Sequence, residues 1–189
     1  MKDRWEEFLG EALEWCPGRM VVPRALLLLY CAVAGVRHVF DPFYADFFAG
    51  ITLGIHELGH VVFIGLGPFL CTFGGTFWQL AVPLIGIVMF ARQPDYFGIA
   101  IAGCWLSFSL FGVALYMSDA RTMDLPLVGL GSDPGHDWNF MLGRLGLLAW
   151  DTKLAFLVRA AAFAIWAASV AFGARLLLEM HRNKDGMSR

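Results

Sequence analysis

Charge is scarce in this chain. Asp, Glu, Lys and Arg make up only 16% of its 189 residues, against about 25% in an ordinary soluble domain. Fourteen basic and sixteen acidic residues leave a net charge of −2, and no basic stripe with interleaved aromatics is present. A nucleic-acid partner is therefore not expected. No two of the four cysteines (Cys16, Cys31, Cys71 and Cys104) form a Cys-x-x-Cys pair, which argues against a thiol-bound metal or redox motif. They read as small buried hydrophobes. There is no internal repeat and no Pro/Gly-rich linker. The 8 Pro and 21 Gly fall instead at breaks between apolar runs.

What fills the chain is apolar surface: 58% hydrophobic residues, including 17 Phe, 7 Trp and 4 Tyr, with a mean hydropathy of +0.62. A soluble domain averages about 45–50% apolar, so the expected class is an all-α, multi-pass transmembrane bundle lying in a lipid bilayer. Trp5, Phe8, Leu9, Ala12, Leu13 and Cys16 recur at helical spacing, with charged residues at most positions between them. Residues 1–20 thus predict an amphipathic interfacial helix and its tether. Residues 21–180 form the membrane domain and 181–189 a basic tail. Val21 to Val36 is the first apolar run. Its Ala32-Val33-Ala34 has the small-residue look of a signal cleavage site, but the long acidic segment before it is wrong for a signal peptide. Phe43 to Leu66 is the second run. The uncharged 69–76, with Gly74-Gly75, reads as a loop or hairpin dipping into the membrane, where an extended substrate could pair with backbone. Phe77 to Ala91 (holding Pro83) and Phe97 to Met117 follow. A polar, turn-rich loop at 118–137, a short apolar segment at 138–150 and a last run from Leu154 to Leu178 complete the chain.

Lys2, Arg4, Arg19 and Arg24 before the first run, and Arg182, Lys184 and Arg189 after the last, predict that both ends face the cytoplasm. That requires an even number of crossings. The five long runs plus 138–150 give six, in a setting expected to be the bacterial inner membrane.

The chemistry lies in the second run. His56-Glu57-Leu58-Gly59-His60 is an HExxH motif, which on a helix puts His56 and His60 one turn apart on one face, able to share a zinc ion. Glu57, rotated about 100° away, is positioned to act as a base rather than a ligand. Such a polar trio within a lipid-spanning segment costs several kcal/mol unless it pairs or binds something. Zinc needs a third protein ligand. His38 beside Arg37 reads as interfacial and His181 as solvated. His136 and Asp137 remain, before the 138–150 segment. The crossing count puts them and HExxH at the same, cytoplasmic, side. The expected arrangement has His136 on the metal and Asp137 orienting it. The alternatives are Asp137 as ligand, or a helix cap with the site completed elsewhere. Gly50 and Gly54, a GxxxG pair, and Gly59 read as helix-packing positions.

At these residues, over about 43–150, the chain resembles the site-2 protease family of intramembrane zinc metalloproteases. It carries HELGH in a transmembrane helix, an uncharged Gly-rich stretch and a polar loop feeding another apolar helix. The resemblance implies zinc held by His56 and His60, Glu57 as general base, and hydrolysis of a membrane-spanning or membrane-associated peptide. It also implies a third ligand from a Leu-Asp-Gly motif. That motif is absent here, and Asp137 holds the comparable place at a helix start. A non-proteolytic metal- or cofactor-binding membrane subunit, or a scaffold, is the alternative. A scaffold has no need of Glu57.

Overall fold

The computed structural model describes residues 2–126 and 135–186; residues 127–134 of the turn-rich loop and 187–189 of the tail lie outside it. Among the described residues every regular element is helical: α1 Lys2–Glu14, α2 Val21–Phe40, α3 Ala49–Val62, α4 Pro68–Arg92, α5 Tyr96–Ser118, α6 Asp137–Arg144 and α7 Asp151–Gly186, with a 3-10 turn at Leu148–Trp150. Helices satisfy their backbone polar groups internally, which is what lipid demands. Four of them, α2, α4, α5 and α7, are long and apolar enough to cross a membrane. That is the build of a membrane protein.

The helix boundaries follow from local chemistry. Gly67 takes φ +91 and Pro68 opens α4 at its first turn, where a missing N–H costs nothing. Asp95 caps α5, its Oδ1 accepting from the Gly98 amide at 3.0 Å. α5 is the central helix, buried from Tyr96 and Phe97 to Met117. α1 does not simply float at an interface. Its Ala12, and Cys16 just beyond it, are buried against Tyr96, Leu176 and Met180, and Tyr96 Oη donates to Glu11 Oε2 at 2.9 Å.

Three expectations change. Residues 69–76 are not a loop or hairpin but the opening turns of α4. Their glycines allow close approach: a Cβ on Gly59 would collide with the Gly74 carbonyl, and one on Gly74 with the Gly59 carbonyl. That backbone is packed against α3 and offers no edge to a substrate. Gly50 and Gly54, in contrast, would meet nothing within 4 Å, so the packing glycines of α3 reduce to Gly59. Finally, six crossings are not reached by length. α3 has 14 residues, about 21 Å at 1.5 Å per residue, and α6 has 8. A crossing takes about 20. The 138–150 segment breaks at Gly146, whose φ is +69.

Helix directions show how the short α3 fits. Just beyond α5, Arg121 Nε bonds Asp151 Oδ2 at 2.8 Å at the head of α7, while Phe97 packs with Leu176, so α5 and α7 are antiparallel. α2 runs parallel to α5: Leu28 meets Gly173, Trp166 donates to the Cys31 carbonyl at 3.1 Å, and Arg159 donates to the His38 and Val39 carbonyls at 3.1 and 2.9 Å. The chain then doubles back. The Phe47 amide donates to Tyr30 Oη at 2.6 Å and His38 Nε2 stands 3.0 Å from Asp46 Oδ2. His38 is thus buried, stacked on Phe108 and Phe111, and not interfacial. α3 starts beside Trp105, whose Nε1 donates to Thr52 Oγ1 at 2.9 Å, and runs with α5 toward Tyr116. α4 returns antiparallel, with Gln79 bonded to the Ser109 carbonyl and Phe90 against Gly98. α1 and the end of α7 therefore share one end of the bundle, and residues 119–126 and 135–151 lie at the other.

Candidate metal centre

α3 delivers His56 and His60 one turn apart, with their Nε2 atoms 3.1 Å from each other. Each ring is held from behind. His56 Nδ1 lies 2.9 Å from Gln79 Oε1, and that amide is oriented by its own donation to the Ser109 carbonyl at 3.2 Å. His60 Nδ1 lies 2.9 Å from the Cys71 carbonyl. Both acceptors are carbonyl oxygens, so both Nδ1 atoms donate and both Nε2 atoms are turned to the same place.

Asp137 joins them. Its Oδ2 is 3.0 Å from His56 Nε2 and 3.3 Å from His60 Nε2, and its amide donates to Tyr116 Oη at 3.0 Å. His136 does not join them. As the N-cap of α6 it accepts the Asn139 amide on Nδ1 at 3.2 Å, which leaves its proton on Nε2, facing Asp119 Oδ2 at 3.3 Å. The residue brought to the two histidines is thus Asp137 and not His136, for a simple reason. A capping side chain folds back onto its own helix's amides, so the next residue is the one that projects toward α3. Asn139 fastens this start further by donating to the Ala120 carbonyl at 2.8 Å. Asp119 is itself tied down by Thr122 Oγ1 and the amides of Asp124 and Leu125. Burial pushes its carboxyl up, but these bonds and the neighbouring His136 outweigh burial and hold its pKa below the usual carboxylate range.

Do these residues suit a metal ion? The three donor atoms stand 3.0, 3.1 and 3.3 Å apart. A tetrahedral ion with bonds of about 2.0–2.1 Å requires separations of about 3.3–3.4 Å. Two imidazole nitrogens and a carboxylate oxygen pointing at one place are an arrangement that a shared cation, proton or metal ion, holds together. Gly75 adds a steric sign: a Cβ there would stand 2.6 Å from both Nε2 atoms. The Glu57 carboxylate comes within 4.8 Å of both histidine donors, while Asp137 stands closer to them. Glu57 is thus adjacent to the donor triangle without being needed to complete it. Both Glu57 and the triangle face a cavity of about 680 Å³ between α3 and α5, with Tyr116 on its far wall and Leu125 and Pro126 at its rim.

Two outcomes test this construction. Gly75→Ala should lower metal affinity while the fold is kept, because its methyl group intrudes on both imidazoles. Metal titration against circular dichroism reads both quantities. Gln79→Ala should weaken the metal by about 10–100-fold, the usual effect of losing a partner that orients a ligating histidine. Isothermal titration in detergent measures it. Gln79 and Tyr116 were not singled out from the sequence, and Gly75 was read only as part of a turn. Gln79 did leave a signal, as the lone amide in the otherwise apolar run from Phe77 to Ala91. Tyr116 left none, since an aromatic is ordinary in such runs. No family model matches the chain, and no curated protein or solved structure matches it either.

Proposed function

We propose that the protein is an intramembrane zinc-dependent peptidase of the bacterial inner membrane, with His56, His60 and Asp137 as metal ligands and Glu57 as general base. The observation that carries this reading is the convergence of two imidazole nitrogens and one carboxylate oxygen, all within 3.3 Å of one another, beside a second carboxylate that lines the cavity. Two imidazoles and one carboxylate are a donor set that zinc accepts while keeping a position open for chemistry. When bound, the ion supplies Lewis acidity, polarising the scissile carbonyl and acidifying the attacking water. Gln79 and the Cys71 carbonyl keep both imidazoles in the Nδ1–H form. Tyr116 and the His136 cap hold Asp137 in place. The Glu57 carboxylate takes the proton from the attacking water and returns it to the departing amine nitrogen. The apolar walls suit a membrane-associated peptide.

The test is a metal assay joined to a cleavage assay. Purified protein should carry about one zinc per chain, and should cut a transmembrane reporter peptide in mixed micelles in a chelator-sensitive way. Stoichiometric zinc with no cleavage of any presented peptide would favour a metal-holding membrane subunit. Haem would favour a cofactor-holding subunit over a peptidase, and no retained metal at all would sink both readings.

A further inference from the structure

We propose that the metal centre opens on the non-cytoplasmic face of the membrane, so that its substrates are peptide segments exposed at that face or lying in its leaflet. This rests on the hydrolytic reading above for the word substrate, but the choice of face stands on separate observations. The first is the path of the chain. α2 runs away from the end where α1 docks, the 41–48 segment folds back toward Tyr30, and α3 resumes the same direction from beside Trp105. α2 and α3 together therefore make one broken crossing. With α4, α5 and α7 the chain crosses four times, an even number, and α1 lies at the same end as the close of α7.

The second observation is depth. Tyr116, which holds the Asp137 amide, lies in the last turn of α5. The rim residues Leu125 and Pro126, with Gly135, belong to the connection leading away from that end. The donor triangle thus sits close to the bundle end opposite α1, and the cavity it faces reaches residues of that end.

The third is the distribution of positive charge, which sets orientation when counted near the ends of spans. At the α1 end lie Lys2, Arg4, Arg19 and Arg24, Arg92 at the close of α4, and Arg175, Arg182 and Lys184 late in α7. At the site end lie Arg37, Arg121, Arg144, Lys153 and Arg159. Of these, Arg159 is drawn inward to the His38 and Val39 carbonyls, and Arg121 is bonded to Asp151. The excess belongs to the α1 end, which is therefore cytoplasmic. The site end faces away from the cytoplasm, contrary to the side given by a count of six crossings.

Thiol labelling of the full-length protein tests the face. Thr122→Cys and Arg144→Cys are exposed positions at the site end, and Arg182→Cys is exposed at the other. Each is made in a Cys71→Ser background, because Cys16, Cys31 and Cys104 are buried. A membrane-impermeant maleimide should label the first two in intact cells, and label Arg182→Cys only in inverted membrane vesicles. The reverse pattern at both site-end positions overturns the proposal. A second arm presents one reporter peptide from a membrane anchor in either orientation. Cleavage of the outward-facing copy alone supports the proposal, and cleavage of the inward-facing copy alone overturns it. Outward labelling with neither copy cut upholds the face and counts against the peptidase reading, so the two failures are told apart.

Discussion

Asp137→Ala should strip the metal from the protein, while His136→Ala should leave it bound. Removing one of three donors leaves His56 and His60 alone, and the loss should exceed the 10–100-fold that follows from disturbing a ligand's orienting partner. Asp137→Asn sharpens the result. The amide keeps the size and the bond from the backbone amide to Tyr116 Oη, yet removes the charge that offsets the cation, so zinc should still be lost. His136→Ala removes an N-cap, a change that costs about 0.5–2 kcal/mol of stability, and takes away the Asp119 contact. Its signature is a lower melting temperature with metal content near one. Elemental analysis of the three purified variants, beside thermal melts, decides the matter. Zinc lost from His136→Ala and kept by Asp137→Ala would reverse the assignment.

Glu57→Gln should keep zinc and lose turnover. The carboxylate is close to the donor triangle but lies outside it, and an amide of the same shape cannot accept the proton. General-base catalysis contributes about 10²–10⁴ in rate, so kcat should fall by that order while the metal titration is unchanged. A variant that is folded but metal-free would show instead that Glu57 holds the ion. A variant that is metal-loaded and fully active would remove Glu57 from the chemistry.

The helical class and the pairing of His56 with His60 were legible in the sequence because each rests on a local period. Apolar runs make lipid-stable helices, and a four-residue spacing puts two side chains on one face. What was not legible depends on chain reversals. Phe43 to Leu66 reads as one continuous run, yet only Ala49–Val62 is helical; the fold-back before it is fixed by Tyr30 and by the His38–Asp46 pair, contacts remote in sequence or at odds with hydropathy. The choice between His136 and Asp137 turned on a one-residue shift in where α6 begins. Composition is blind to that shift, whereas the Asn139 amide decides it. Gly74-Gly75 misled for a related reason. A glycine pair marks a turn in a soluble chain and close helix contact in a membrane one, and its meaning depended on Gly59 lying opposite.

The donors come from two separately anchored parts of the bundle. His56 and His60 belong to α3, which is joined to α4 through the Gly59–Gly74 contact. Asp137 belongs to the head of α6, which is moored to α5 through Tyr116 and to the residues just beyond it through Asn139. Between them lies the cavity. On the metallopeptidase reading proposed above, an ion bridging these parts would act as a staple across the cleft. By mass action, free metal at 100 times its dissociation constant would add about 2.7 kcal/mol to the folded state, and that stabilisation would bear on the contact between the two parts. Loading the metal and fixing the width of the cleft would then be one thermodynamic event.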